Sequence, residues 1–404
     1  MERIKRATPL FSLLLICTVF YYQTHFGGLT SAYVENSEDL PFALFLLAGL
    51  LSAYFRQSNP FFIAVALALA YAARLDSLPG LTNPENAELT QSALSFLLPL
   101  NILFLVLSRE RGIFTPIGYA KWALLLLPPT LIKFSSESAN ETLRVWIETP
   151  WHNTILPSLA TVSNHFTVWA ICILLLVLNS TRREHTLSRA MVGVALAIAL
   201  GLNTGPLPAD IWIFFSTAAL ILILFLLQNS YKLAFIDQLT GLPGRRALEL
   251  QLVCLHRRYT IAMLDVDYFK KVNDRYGHDV GDQVLQLVAQ HLKTLKGGGK
   301  AARYGGEEFA IIYPGKTKHQ CLGHLEQLRR EISERGFHIR SSKRLQKHRH
   351  RSKKNGQTLS VTVSIGVCDR SARENSVAAV MKGADQALYR AKKAGRNRVM
   401  GKRS

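Results

Sequence analysis

Two acidic sites in the second half of the sequence have the residue types for metal-dependent phosphate chemistry. Asp265 directly follows the apolar residues 259–264, and Glu307 and Glu308 directly follow a pair of glycines. Carboxylates at strand ends and turns can bind hard divalent cations through oxygen, and magnesium is often held by one or two carboxylates together with substrate phosphates. The two acidic sites are therefore candidates for one catalytic metal centre.

Three basic residues could complete such a site by holding a triphosphate: Lys270, Lys392 and Arg396. Taken alone, each acidic site also has a simpler explanation. An Asp-x-Asp sequence can mark a solvated strand end, and a Gly-Gly-Glu-Glu sequence can form a plain hairpin turn. At this point the residue types leave both explanations open.

The sequence around these sites alternates between helical and strand patterns. Mixed elements of this kind predict one central sheet with helices packed against it. The predicted helices cover residues 242–256, 269–276, 280–295, 319–335 and 377–394, and the predicted strands cover 259–265, 301–304, 309–313 and 359–368.

The first half of the chain is strongly apolar and predicts an α-helical transmembrane bundle of about eight spans within residues 1–230. Several apolar stretches approach the ~20 residues that a helix needs to cross a bilayer. The Pro128-Pro129 pair would kink or interrupt the fifth stretch. We expect the first stretch to be a span rather than a cleaved signal peptide, because no small-residue cleavage site follows it. The eight stretches cover residues 7–25, 40–55, 60–74, 92–108, 114–134, 164–180, 188–205 and 210–228.

The charges between these stretches predict an orientation. With the N-terminus in the cytoplasm, Lys and Arg fall in the inside segments at every turn, as the positive-inside rule expects. We therefore predict a multi-pass protein of the bacterial cytoplasmic (inner) membrane, with both its N-terminus and its C-terminal domain in the cytoplasm. The net charge of +20 comes entirely from the C-terminal part. The five cysteines form no C-x-x-C pair, which argues against a zinc or redox motif.

A set of spaced motifs in residues 231–404 resembles the GGDEF family of diguanylate cyclases. The motif that names the family is present in its GGEEF form, as RYGGEEF at residues 303–309. Four further blocks occur in the family's order along the chain, two before this motif and two after it: DQLTGLPGRR at 237–246, DVDYFKKVND at 265–274, VTVSIGV at 361–367 and ADQALY at 384–389.

The resemblance implies an α/β (α+β) palm-like nucleotidyl cyclase domain, with a central sheet flanked by helices. Such a domain condenses two GTP into cyclic di-GMP with release of two pyrophosphates, at the interface of a homodimer. The resemblance also implies two Mg²⁺ per active site, for which Mn²⁺ can substitute. The implied metal ligands are Asp265, the backbone carbonyl of Val266, Glu307 and Glu308, and Glu307 would help to deprotonate the attacking 3′-hydroxyl.

The resemblance also implies substrate contacts. Asn273 and Asp282 match positions that read guanine, and an amide and a carboxylate suit its hydrogen-bonding edge. Lys270, Lys392 and Arg396 match phosphate contacts. Phe269 would line the pocket, and the absence of side chains at Gly305 and Gly306 would let the backbone approach a phosphate.

The sequence departs from the family pattern in two regions. Lys296 and Gly299 replace the Arg and Asp of the product-inhibitory motif, so we expect no inhibitory site. The insertion at residues 340–354 holds eight Lys or Arg and no acid. We interpret it as a solvated loop or a segment that contacts anionic lipid. Nucleic-acid binding is disfavoured because no aromatic side chain is interleaved.

Two other functions remain open. A catalytically inactive GGDEF domain could act as a GTP-binding or partner-binding signalling module. An active enzyme could instead make an adenine-containing dinucleotide, although Asp282 argues against that. The three retained carboxylates favour the cyclase.

Overall fold

The computed structural model divides the chain into two compact units, Met1–Ser230 and Tyr231–Ser404. Each unit has its own hydrophobic core. The structure describes residues 38–75, 87–136, 164–181, 186–203, 211–335, 337–338, 358–371 and 375–402.

The described part of the first unit is helical. Its helices coincide with the second to eighth predicted apolar stretches, whereas the first stretch, residues 7–25, lies outside the described residues. The helix that contains Pro128 is not interrupted there. The helices are α1 (Leu40–Tyr54), α2 (Ser58–Arg74), α3 (Ala87–Leu107), α4 (Pro116–Ser136), α5 (Asn164–Ser180), α6 (Thr186–Asn203) and α7 (Ile211–Phe235).

Among the described residues, only α7 is long and apolar enough to cross a membrane by itself, with a mean hydropathy of 2.4 over its most apolar window. The other apolar helices are shorter. Inside the unit, Phe62, Tyr71 and Phe215 are fully buried, and the rings of Tyr71 and Phe215 lie 5.1 Å apart. These contacts form a packed core between α2 and α7.

The second unit is built on a five-stranded sheet in the order β2-β3-β1-β6-β7. The central strand β1 pairs antiparallel with β3 on one side and with β6 on the other, and β6 pairs parallel with β7. The short strands β4 and β5 form a separate pair. The strands are β1 (Tyr259–Val266), β2 (Lys300–Arg303), β3 (Glu308–Pro314), β4 (Phe337–His338), β5 (Thr358–Leu359), β6 (Val363–Asp369) and β7 (Val399–Gly401).

Helices cover both faces of this sheet, so the predicted α/β architecture is confirmed. Every residue of β1 is buried, which explains why residues 261–264 form a continuous apolar run rather than an alternating pattern. The helices are α8 (Arg245–Val253), α9 (Phe269–Tyr276), α10 (His278–Lys293), α11 (Lys318–Glu334) and α12 (Val377–Lys393). Ala262 and Leu264 pack in one core cluster with α10 and α11, and Ile261 and Met263 pack in a second cluster with α8 and α12.

The second unit differs from the sequence prediction in three main respects. The predicted strand 359–368 is two strands, because Leu359 pairs with Phe337 whereas pairing with β1 begins only at Val363. The first predicted helix is shorter, since it begins after Gly244, which has an extended backbone. The strands β4 and β7 were not predicted, because two or three residues are too few to show a periodic pattern.

The contact between β6 and α12 is unusually close. A side-chain Cβ at Gly366 would lie 2.1 Å from the backbone nitrogen of Leu388 and 2.2 Å from the carbonyl oxygen of Ala384. These are backbone atoms of a helix, which cannot move aside as a flexible side chain can. Glycine at this position therefore sets the distance between the helix and the sheet.

Candidate active site

The pairing of β1 with β3 brings the two acidic sites together. Asp265, near the end of β1, is the register partner of Glu308, the first residue of β3. The backbone N–H of Val266 donates a hydrogen bond to the carbonyl oxygen of Glu307 at 3.3 Å. Asp265, Glu307 and Glu308 therefore lie at one end of the central strand, although they are more than 40 residues apart in sequence.

The turn that carries Glu307 is held by Arg303. The guanidinium of Arg303 donates to the carbonyl oxygens of Gly305 (3.2 Å) and Gly306 (2.7 Å). It also donates to both carboxylate oxygens of Asp237 at 3.0 Å. Burial alone would raise the pKa of Asp237, but hydrogen bonds from Thr240 and Arg303 outweigh it and hold that pKa below its usual value. The hydrogen bonds of the Arg303 guanidinium thus connect this turn to Asp237, near the start of the second unit.

The carboxylate cluster is electrostatically unfavourable. Asp265 is buried, and only Lys392 forms an ion pair with it among the described residues, with its Nζ 2.8 Å from Oδ2. Burial raises the pKa of Asp265, Lys392 opposes that rise, and Glu308 and Asp267 add to it. Burial likewise raises the pKa of Glu307, followed by repulsion from Asp265. The single ammonium of Lys392 therefore does not neutralise the three carboxylates.

This donor set fits a divalent cation. Carboxylate oxygens are the ligands that Mg²⁺ and Mn²⁺ prefer, and a bound cation would neutralise the negative charge that burial makes costly. In the described part of the chain, the side chains are not already gathered into a cluster of three metal-binding groups. The cation that contacts Asp265 here is the ammonium of Lys392.

The residues predicted to contact phosphate lie on three elements. Lys392, in the last turn of α12, contacts Asp265 directly. Arg396 follows α12, and its guanidinium lies over the ring of Tyr268 at 4.3 Å. Lys270 is exposed on the first turn of α9. The structure thus brings Lys392 to the carboxylates, whereas no contact of Lys270 with them is described.

The residues predicted to read guanine lie on two consecutive helices. Asn273 is on α9 and the exposed Asp282 is on α10. The Oδ1 atom of Asn273 is buried and has no hydrogen-bond partner among the described residues. A Cβ at Gly281 would lie 1.9 Å from that atom and 3.2 Å from Cζ of Phe269. Gly281 therefore leaves room for the Asn273 amide beside the Phe269 ring, and Asn273 presents an unused acceptor.

The glycines of the Gly-Gly-Glu-Glu sequence are not explained by turn conformation. Neither Gly305 nor Gly306 has a positive φ. A Cβ at Gly306 would meet no heavy atom within 4 Å, and a Cβ at Gly305 would meet only Glu308, 3.2 Å from its Oε2. The space beside Gly306 is therefore open, as close approach of a ligand requires.

Asp267, the second acid of Asp-x-Asp, was not among the predicted site residues. It is buried and accepts hydrogen bonds from the hydroxyls of Thr362 (2.8 Å) and Ser364 (2.7 Å) and from the backbone N–H of Asn397 (3.0 Å). It is therefore a structural acid that links β1 and β6 to the segment after α12. Its spacing from Asp265 was visible in the sequence, but its partners were not.

A cavity adjoins the site, and Gly299 lies at the opposite end of the β2–β3 pair. Glu308 and Lys392 line a cavity of about 590 Å³ together with Asp385, Gln386, Leu388, Tyr389, Arg390 and Lys402. On the turn before β2, Gly299 stands where the inhibitory motif has its aspartate. A Cβ there would lie 2.8 Å from the ring of Tyr313.

Comparison with known proteins identifies the second unit. A family model described as "Diguanylate cyclase, GGDEF domain" matches residues 234–398. A probable diguanylate cyclase, DgcF of Escherichia coli, is 31% identical over 259 residues, which cover 60% of this chain and 77% of DgcF. The chain belongs to the GGDEF family. That match is longer than the second unit alone, so it extends into the first unit.

Other relatives match over a shorter part of the chain. The response regulator PleD of Caulobacter vibrioides is 36% identical over 184 residues, which cover 44% of this chain and 38% of PleD. Diguanylate cyclase VdcA of Vibrio cholerae is 37% identical over 179 residues, which cover 43% of this chain and 49% of VdcA. The chain thus spans less than half the length of these relatives. The crystal structure of the coiled coil and GGDEF domain of Caulobacter crescentus DgcB with c-di-GMP is 34% identical, covering 43% of this chain and 89% of that one, with a TM-score of 0.38.

The raised pKa of Glu307 predicts a pH-dependent gain in stability on neutralising this residue. A carboxyl group whose pKa is raised by folding stabilises the fold at a pH below its unfolded pKa of ~4.3, and this contribution is lost as the pH rises through the folded value. In the GGDEF domain without metal, Glu307→Gln should therefore raise the melting temperature at pH 7.5 by on the order of 2 °C and change it little at pH 4.

Thermal unfolding of residues 231–404 in a chelator, at both pH values, checks this expectation. Glu249→Gln is the matched control, because Glu249 is an exposed residue paired with Arg245 on α8. It should give no gain at pH 7.5. An equal rise in melting temperature for Glu307→Gln at both pH values would contradict the expectation that the ionised form of Glu307 is what destabilises the fold.

Proposed function

We propose that the chain is a membrane-bound diguanylate cyclase that condenses two GTP into cyclic di-GMP and releases two pyrophosphates. The observation that carries the proposal is the register of β1 and β3, which sets Asp265 opposite Glu308 and beside Glu307. The family supports the reaction class, and the open space at Gly306 and the unused acceptor of Asn273 support a nucleotide as the ligand.

In the proposed reaction, the 3′-hydroxyl oxygen of one GTP attacks the α-phosphorus of the other, and pyrophosphate leaves. Glu307 receives the hydroxyl proton, as a carboxylate positioned beside the attacking group can. Metal ions held by Asp265, the Val266 carbonyl, Glu307 and Glu308, with Mg²⁺ as the expected ion, would neutralise charge on the attacking and leaving oxygens.

The other residues bind and orient GTP. Asn273 and Asp282 take the guanine, whose N–H groups match their oxygen acceptors. Lys392 and Arg396, with Lys270, contact the triphosphate. Since one domain offers one such guanine site, a second copy of the chain supplies the second GTP, and the product forms between two protomers of a homodimer.

We further propose that residues 1–230 form the predicted bundle of about eight membrane spans. Leu46 and Leu50 on α1, and Leu174 and Leu178 on α5, have exposed fractions between 56% and 65%. Each pair is four residues apart, so each lies on one helix face. Large exposed apolar faces are rare on proteins that meet only water, whereas lipid tails cover them without cost. The insertion at residues 340–354 lies outside the described residues, and we propose that it contacts anionic lipid.

Replacing Glu308 with glutamine should abolish synthesis and leave GTP binding in place. Glutamine keeps the size of the side chain and removes the charge that would hold a metal ion, so the expected loss of rate is more than about 100-fold. The measurement is mass spectrometry of the product formed by the full chain from GTP and Mg²⁺. Glu249→Gln should retain full activity. If the parent chain binds GTP and forms no product, the chain is instead a GTP-binding signalling module.

Replacing Asp282 with alanine should reduce the preference for GTP over ATP more than it reduces the maximal rate. A site built to hydrogen-bond its ligand loses discrimination when one partner is removed. The ratio of kcat/KM for the two nucleotides measures the effect, and Asp279→Ala, an exposed acid on the same helix, serves as the control. An unchanged GTP preference in Asp282→Ala would refute the guanine assignment.

The proposed topology predicts opposite accessibility for two exposed residues, Glu38 and Arg111. In a cysteine-free version of the chain, a cysteine at position 38 should react with an impermeant maleimide in intact cells. A cysteine at position 111 should react only after lysis. Equal reaction of both in intact cells, or recovery of the chain in the soluble fraction, would overturn the membrane proposal.

A further inference from the structure

The segment that follows α12 holds Arg396 in an uncommon backbone conformation. Arg396 has a φ of +62° and Asn397 a φ of +45°, directly after Gly395 at +106°. Non-glycine residues rarely adopt positive φ, because Cβ comes close to the backbone. Two such residues in succession persist only where surrounding contacts hold them.

Asn397 is fixed from two sides. Its backbone N–H donates to Oδ2 of Asp267 at 3.0 Å, and its side-chain Oδ1 accepts from Nη1 of Arg329 at 2.6 Å. Arg329 is itself held by hydrogen bonds of 2.7 to 3.1 Å to the carboxylate of Glu326. These contacts fix the backbone of the segment but not the side chain of Arg396.

The side chain of Arg396 is held by Tyr268. The guanidinium carbon lies 4.3 Å from the centre of the Tyr268 ring, and Nη1 donates to the Tyr268 hydroxyl at 3.2 Å. Tyr268 also has a positive φ, of +56°. Because Tyr268 directly follows Asp267, two consecutive residues at the end of β1 hold two consecutive residues after α12.

Core packing does not explain Tyr268. Its exposed fraction is 51%, so the ring is half in solvent, in a backbone conformation that an aromatic residue rarely adopts. The ring contacts Lys271 and Arg396, and Arg396 is a flexible cation that the proposed function assigns to the triphosphate. An arginine that is already ordered loses less side-chain freedom when it binds a ligand.

We propose that Tyr268 is a positioning residue, whose ring and hydroxyl hold Arg396 in place for the triphosphate of GTP. The proposal rests on the proposed function, because it takes Arg396 as a phosphate contact. Lys271, whose Nζ lies 4.8 Å from the centre of the same ring, provides a matched control, since its removal leaves the contact with Arg396 intact.

The test is the affinity of the full chain in detergent for a non-hydrolysable GTP analogue and, by competition, for guanosine. Tyr268→Leu removes both contacts and should weaken the analogue about fivefold, the size expected for one cation–π contact and one hydrogen bond. Tyr268→Phe keeps the ring and should weaken the analogue about twofold. Both variants should bind guanosine as the parent does, and Lys271→Met should bind both ligands normally.

A double-mutant cycle separates positioning from general support of the fold. If Tyr268 acts through Arg396, adding Tyr268→Leu to Arg396→Met should change the analogue's affinity less than twofold. A full fivefold loss in that background would overturn the proposal, as would an equal loss of guanosine affinity, which would place the ring at the base. A fall in melting temperature that accounts for the lost affinity would also overturn it.

None of these measurements needs turnover. A parent chain that binds the analogue and makes no cyclic di-GMP would refute the cyclase function. The double-mutant cycle would still decide whether Tyr268 positions Arg396. A parent chain that does not bind the analogue would refute both.

Discussion

The burial of Asp265 beside two further carboxylates, Glu307 and Glu308, is the constraint on which the active site of the second unit depends. Like charges held close together at a buried strand end oppose folding. The antiparallel ladder between β1 and β3 holds their backbones in place, and Arg303 holds the turn by binding Asp237 and two glycine carbonyls. The ion pair with Lys392 offsets only part of the charge. The negative charge that remains is what a bound cation would neutralise.

Much of the second unit could be predicted because its signals are local. The continuous apolar run 259–264 predicted a strand buried on both faces, and β1 is such a strand. The long amphipathic helices α10, α11 and α12 lie within two residues of their predicted bounds. Likewise, the pairing of Asp265 with Glu308 follows once two neighbouring strands of one sheet are predicted, since each acid stands at a strand end.

The supports of the site could not be predicted because they join residues that are distant in sequence. Arg303 binds an aspartate 66 positions away, and Asp267 binds the backbone of Asn397, 130 positions away. No periodic pattern records such a contact. The sequence also allowed two explanations for Gly305 and Gly306. The backbone angles remove the turn explanation and leave the open space beside Gly306. In the first unit, the sequence predicted where the helices lie, since hydropathy is itself a local signal.

Gly366 shows that a motif can record packing as well as chemistry. It lies in the block VTVSIGV, which helped to reveal the family resemblance, yet its closest neighbours are backbone atoms of α12. Any side chain there would push the helix that carries Lys392 away from the sheet that carries Asp265. We therefore expect natural selection to preserve this glycine as strictly as the acids, although it contacts no substrate. A ranking of positions by invariance alone would not distinguish Gly366, which sets a packing distance, from the acids that act in the reaction. The three-dimensional contacts distinguish them.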